Sequence, residues 1–103
     1  MEIVFKNSKL KKICEDYKKI SIKYGKQAEE IIKRMNELNA AENLYDISKL
    51  PQARLHLLSG DLKGCFAVDL KHPYRLILKP LNGDLSDLKS ITSIQINDII
   101  DYH

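Results

Sequence analysis

The sequence predicts an α+β domain in which two N-terminal helices pack on one face of a mostly antiparallel sheet of roughly four to five strands. Three observations carry that prediction. Between Leu10 and Leu38 the apolar residues recur at helical spacing, and from Arg54 onward they alternate with a period of two. The chain is also short: 103 residues, 44% of them hydrophobic, suit one core, so residues 1–103 are read as a single domain with one site.

Taken in order, Glu2 to Lys6 reads as an opening strand that stops at Asn7-Ser8, with Ser8 as the helix N-cap. Leu10, Ile13, Cys14 and Tyr17 then fall at i, i+3, i+4 and i+7, which predicts one buried helical stripe with lysines on the remaining positions. After the break at Tyr24-Gly25, Ala28, Ile31, Ile32, Met35 and Leu38 predict a second helix sharing the same apolar seam. Asn39-Ala40-Ala41-Glu42 has the spacing of a capping box for a brief third helix over Asn43 to Ile47, closed before Pro51.

The strands follow. Leu55/Leu57, Phe66/Val68/Leu70 and Tyr74/Leu76/Leu78 alternate with smaller or polar residues, and an Ile- and Thr-rich strand spans about Ile91 to Ile100. Gly60-Asp61, Lys71-His72-Pro73 and Asn82-Gly83 supply the turns between them. If the apolar set faces the helices, the pleat sends Arg54, His56, Cys65, Ala67, Arg75 and Lys79 to the opposite face. An open face floored by a side chain as small as Ala67 would be a shallow cleft.

Charge and cysteines narrow the function classes. Residues 1–34 carry ten Lys/Arg against five Asp/Glu, and the remainder seven against nine. A basic N-terminal third suits RNA, an acidic partner or plain solvent, while a net charge of +3 is modest for a protein that grips duplex DNA through phosphates alone. Cys14 and Cys65 lie far apart and outside any C-x-x-C spacing, so both are expected reduced and buried, with no metal site. No apolar run reaches the roughly 18 residues of a membrane span, and the opening segment lacks the apolar core of a secretory signal. The expected compartment is the cytoplasm, with no membrane partner.

The polar residues of the open face form a chemical set. Metal-free RNA cleavage needs a base for the ribose 2′-OH, a cation for the charge growing on the phosphate oxygens, and an acid for the departing 5′-oxygen. His56 or His103 can serve as base or acid, since an imidazole exchanges its proton near neutrality. Arg75 offers a planar fork for two phosphate oxygens. Arg54, Lys63 and Lys79 add charge for substrate binding, and Tyr102 can donate a hydrogen bond or stack on a base. Each group also has an ordinary role: a strand histidine is commonly a hydrogen-bonded structural residue, a strand arginine a salt-bridged one, and chain-end residues are often idle. His72 reads as a turn residue.

Three segments together resemble the HigB toxins of the RelE/ParE superfamily, the plasmid maintenance killer group. They are Arg54-Leu55-His56-Leu57-Leu58-Ser59-Gly60-Asp61-Leu62-Lys63-Gly64, then Tyr74-Arg75-Leu76, then Asp101-Tyr102-His103. The resemblance covers nearly the whole chain and implies a ribosome-dependent mRNA endoribonuclease of a type II toxin-antitoxin pair, working at the ribosomal A site without a cofactor. It implies catalytic roles for His56, Arg75, Tyr102 and His103, with Asp101 as an orienting or proton-handling group. The implied partner is a cognate helix-turn-helix, HigA-like antitoxin. Where several members of the family carry basic residues, this chain has Ser59 and Cys65, and Lys63 or Lys79 would have to supply the missing charge. Two other readings share the scaffold: a ParE-like inhibitor of DNA gyrase, which needs neither the strand histidine nor the terminal Tyr-His, and a catalytically weakened module that only binds its antitoxin.

Overall fold

A computed structural model of the chain describes residues 1–101. Strand β1, Glu2–Phe5, leads into α1, Ser8–Glu15. The cap of α1 is Asn7, not Ser8: its backbone is extended and its side-chain oxygen accepts from the Leu10 amide at 2.8 Å. Leu10, Ile13 and Cys14 are buried as their spacing predicts. The stripe stops there, because Asp16 adopts an extended conformation and its carboxylate accepts from the Lys18 and Lys19 amides, opening a new helix, α2, Tyr17–Tyr24. Tyr17, expected in the core, is therefore 55% exposed at the start of α2.

Helix α3, Ala28–Ala40, buries Ile31, Met35 and Leu38. Helix α4, Leu44–Ser48, is capped by Asn43, whose side chain accepts from the Asp46 amide, in place of the expected box at Asn39 to Glu42. Cys14 and Cys65 are both free thiols and both buried. Burial, with the Glu15 carboxylate adding to it, pushes the Cys14 thiol up to about 11.

Strands β2 (His56–Leu57), β3 (Phe66–Asp69), β4 (Tyr74–Pro80) and β5 (Ser93–Asp101) complete a five-stranded sheet in the order β1-β5-β4-β3-β2. Only β1 and β5 run parallel; the other neighbours are antiparallel. One apolar cluster joins the buried residues of all four helices to Phe66, Val68, Leu76, Leu78, Ile94 and Ile96. The opposite parity of β3 and β4 builds a second, smaller cluster of Leu58, Cys65, Ala67 and Ile77, with Leu62 and Ile100 packed against it. The second face is thus partly roofed, because the Leu58–Gly64 connection folds back over it. Leu57, expected to face the helices, is 53% exposed on the short edge strand. No helix among the described residues is long and apolar enough to cross a membrane.

Two buried polar side chains tie α3 and its approach to the sheet. Gln27 donates from Nε2 to the Lys71 carbonyl at 2.6 Å and accepts the Lys71 amide at 2.8 Å, which closes the β3–β4 turn against the helical layer. Arg34 donates from Nε to the Asp69 carbonyl at 3.0 Å, with its Nη groups on Glu30 and Glu37. Burial works against the Glu30 charge, but hydrogen bonds from Lys33 and Arg34 outweigh it and hold that carboxyl below its ordinary range. Such a group adds stability above its unfolded value and loses it as pH falls through the folded one.

Replacing Arg34 by Ala leaves the Asp69 carbonyl and two carboxylates without this partner and is expected to cost about 2–3 kcal/mol in urea unfolding, somewhat under a fully buried pair because both glutamates are partly exposed. The penalty should shrink as pH falls below the 4.5 of an unperturbed glutamate.

Candidate active site

The polar residues of the second face converge on Asp69, the last residue of β3. Its register partner across β4 is Arg75, and one step along the sheet His56 lies opposite Ala67. Residues 67 and 69 share a face, so the pleat brings His56, Asp69 and Arg75 to one side. The Asp69 carboxylate accepts from Arg54 Nε at 2.6 Å and Nη2 at 3.4 Å, and pairs with Arg75 Nε at 3.5 Å. Its hydrogen bond raises the Arg54 guanidinium further above its ordinary range. The Asp69 amide donates to the Ala53 carbonyl at 2.7 Å, and its own carbonyl takes the bond from Arg34. Every hydrogen-bonding group of this residue is engaged.

Arg54 has φ +45°, the only positive value at a non-glycine among the described residues. A side-chain-bearing residue adopts that region at a cost of about 1–2 kcal/mol. The kink sends its guanidinium back to Asp69 while its carbonyl meets His56 Nδ1 at 2.7 Å. On the other side of the ring, His56 Nε2 lies 3.3 Å from Arg75 Nη1. A carbonyl only accepts and a guanidinium only donates. One neutral tautomer satisfies both contacts: the proton sits on Nδ1, and the Nε2 lone pair faces Arg75 and the solvent side of the site.

The electrostatics follow from counting charges. Asp69 pairs with both arginines, and the formal charges of Arg54, Arg75 and Asp69 by themselves sum to one positive beside the imidazole. That suits a single phosphodiester anion. A recess of about 50 Å³ lined by Arg54, Asp69, His72, Pro73 and Arg75 adjoins the network. It is far too small to enclose a nucleotide, since ligand pockets usually measure about 300–1,000 Å³.

The remaining sequence-predicted residues stand as follows. Lys63 is exposed and closes the 3₁₀ turn over Gly60–Leu62. Lys79 is exposed on the same face of β4 as Arg75, four residues and so about 13 Å farther along the strand. Asp101 ends β5 opposite Tyr74, and the alternation of the strand gives it the parity of Tyr74 rather than that of Arg75. Tyr102 and His103 lie outside the described residues. Ser59 is exposed, whereas Cys65 is buried in the second apolar cluster, a position where a cation would lose most of its hydration.

Sequence reasoning missed Asp69 and Arg34. Asp69 was visible as the one carboxylate on the Ala67 face of β3, but only strand register shows that it meets Arg75. Arg34 was counted only among the ten basic residues of the N-terminal third, and nothing in its local pattern separates it from Lys33.

The fold and site define a small α+β protein whose sheet carries an imidazole-guanidinium-carboxylate cluster. A family model described as the RelE-like toxin of the type II toxin-antitoxin system HigB matches residues 3–103, and the chain belongs to that family. It is accordingly a toxin of a type II system, whose counterpart is a protein antitoxin. No curated protein matches the chain.

Replacing Asp69 by Asn removes the charge that holds both arginines. Exchange of the Arg54 Nε proton, which donates to the Asp69 carboxylate, is expected to accelerate about tenfold, measured by NMR on the ¹⁵N-labelled chain, while the backbone spectrum of the helices stays in place.

Proposed function

We propose that this toxin is a ribosome-dependent mRNA endoribonuclease that cleaves by attack of the ribose 2′-OH on the adjacent phosphorus. The observation that supports this reading most is the His56–Arg75 pair, with the ring tethered through Nδ1 so that the unprotonated Nε2 is held beside a phosphate-binding guanidinium. In the first step His56 Nε2 takes the 2′-OH proton, the oxygen attacks phosphorus, and the bond to the 5′-oxygen breaks. Arg75 and Arg54 hold the non-bridging oxygens as charge grows on them. The departing 5′-oxygen takes a proton from an acid, which with His56 as the base is assigned to His103, leaving a 2′,3′-cyclic phosphate.

Proton transfer and phosphate binding are coupled in this arrangement. Once Nε2 carries a proton, it and Arg75 Nη1 are both donors and no longer bond to each other. An anion accepting from both resolves the conflict. The phosphate is therefore the natural bridge between the two side chains, and proton uptake at His56 tightens the grip on it.

The shallow site also supports dependence on the ribosome. Among the described residues, the recess beside Arg54, Asp69 and Arg75 is too small to enclose a ribose and fix it in line for attack. Messenger RNA already held in the A site supplies that alignment. Lys63 and Lys79 extend positive charge beyond the central pair and are assigned to the flanking RNA backbone.

The purified chain should cut mRNA on translating ribosomes, with new ends mapped by primer extension, and leave the same naked mRNA intact. His56→Ala or Arg75→Ala should each lower single-turnover cleavage by about 10²- to 10⁴-fold, the usual range for loss of a proton-transfer or charge-stabilising group. Intact ribosome-bound mRNA together with inhibited gyrase-dependent supercoiling would instead support the ParE-like reading.

A further inference from the structure

Arg34 is the one buried charged residue among the described residues, 3% exposed within the helical layer. Its own helix fixes its cationic head twice: Nη2 meets the Glu30 carboxylate at 3.1 Å, four residues back, and Nη1 meets Glu37, three residues on. With both Nη groups held, the planar guanidinium cannot turn, and its Nε–H is aimed out of α3 at the Asp69 carbonyl, 3.0 Å away. A charge sealed in this way is a poor route to stability, because a well-packed apolar side chain of similar volume serves a core about as well. What an apolar side chain would lack is the direction.

Glu37 extends the same network to the chain that enters the site. Its other carboxylate oxygen accepts from Gln52 Nε2 at 3.0 Å. The next residue, Ala53, gives its carbonyl to the Asp69 amide at 2.7 Å, and after it Arg54 donates from Nε to the Asp69 carboxylate at 2.6 Å. Residues 52–54 are thus fastened in succession to α3, to the backbone of Asp69 and to its side chain. The segment so held contains the left-handed Arg54, whose carbonyl meets His56 Nδ1. From the other side, the Arg34 bond fixes the peptide plane after Asp69, and with it the aim of the carboxylate that orients Arg54 and Arg75. Both approaches to the His56–Arg75 pair begin at one ion pair on α3.

We propose that Arg34 and Glu37 are positioning residues for the active site: they touch no substrate, and they hold Asp69 and residues 52–54 so that the His56 ring presents Nε2 beside Arg75. The role requires the fork of an arginine. A lysine at position 34 keeps the charge between Glu30 and Glu37 but is a mobile point charge, with no separate donor fixed on Asp69. Loss of position acts on the chemical step and not on the binding of ribosome-held RNA, because the cations that face RNA keep their charge. The effect on rate rests on the ribonuclease reading, whereas the effect on the ring does not.

The test compares Arg34→Lys, Gln52→Ala and Gln52→Lys in the full chain, reading the ¹⁵N resonances of the neutral His56 ring and single-turnover cleavage on translating ribosomes. Arg34→Lys should move Nδ1 and Nε2 towards the averaged shifts of two exchanging tautomers. Its cleavage rate at saturation should fall at least about tenfold, the usual effect of losing a hydrogen bond to a charged group, with the half-saturating concentration unchanged. Gln52 is exposed, so its variants keep the fold. Gln52→Ala should move the ring the same way and lower the rate about threefold, and Gln52→Lys, whose ammonium still donates to Glu37, should restore both. Ring resonances that stay in place in every folded variant would overturn the proposal, whatever the rate does. So would a moved ring with an undiminished rate, or a Gln52→Lys chain that recovers nothing. If Arg34→Lys does not fold, the two Gln52 variants decide. If the unaltered chain cuts no RNA, the nuclease reading fails, and the ring resonances alone decide this one.

Discussion

The site hangs on a single carboxylate. Asp69 is the point where helix α3, the turn before β2, and strands β3 and β4 meet, through Arg34, the Ala53 carbonyl, Arg54 and Arg75. Each of those bonds is modest by itself, and the exposed Arg54 pair is heavily screened by water. Their value lies in geometry: with both arginines oriented by one acid, the Arg54 kink fixes the His56 ring and Arg75 closes on its far nitrogen. Remove the acid and the two arginines lose the group that orients them together beside a ring on a two-residue edge strand.

The distribution of burial explains how such a small chain can maintain this. The large cluster between helices and sheet stabilises the fold, and the small cluster of Leu58, Cys65, Ala67 and Ile77 gives the opposite face a rigid floor. The polar network sits on the rim of that floor, where the guanidinium groups keep contact with solvent. Cys65 belongs to the floor, which gives it a packing role. The cations at this site come instead from Arg54 and Arg75, with Lys63 and Lys79 farther out.

Much of this was legible in the sequence. The change from helical to alternating spacing near Arg54 gave the fold class, and the pleat alone put His56 and Arg75 on one face. What sequence patterns missed was decided by competition among nearby groups or by register. Asp16 interrupts a stripe that periodicity extends to Tyr17, because its carboxylate caps the next helix. Asn7 and Asn43 cap helices where Ser8 and the Asn39 to Glu42 box were expected to. Leu57 matches the inward parity yet stays exposed because β2 is too short and too peripheral to be covered. Asp69 and Arg34 became central only once strand register and helix packing joined residues far apart in the chain.

The proposed function turns on the orientation of one imidazole. Nitrogen-15 NMR of the His56 ring in its neutral form measures that orientation directly, because the protonated and lone-pair nitrogens have distinct shifts. The proton should reside on Nδ1, and Arg75→Ala should perturb the Nε2 resonance far more than the Nδ1 resonance. A ring proton on Nε2, or an Nε2 signal indifferent to loss of Arg75, would contradict the site as described.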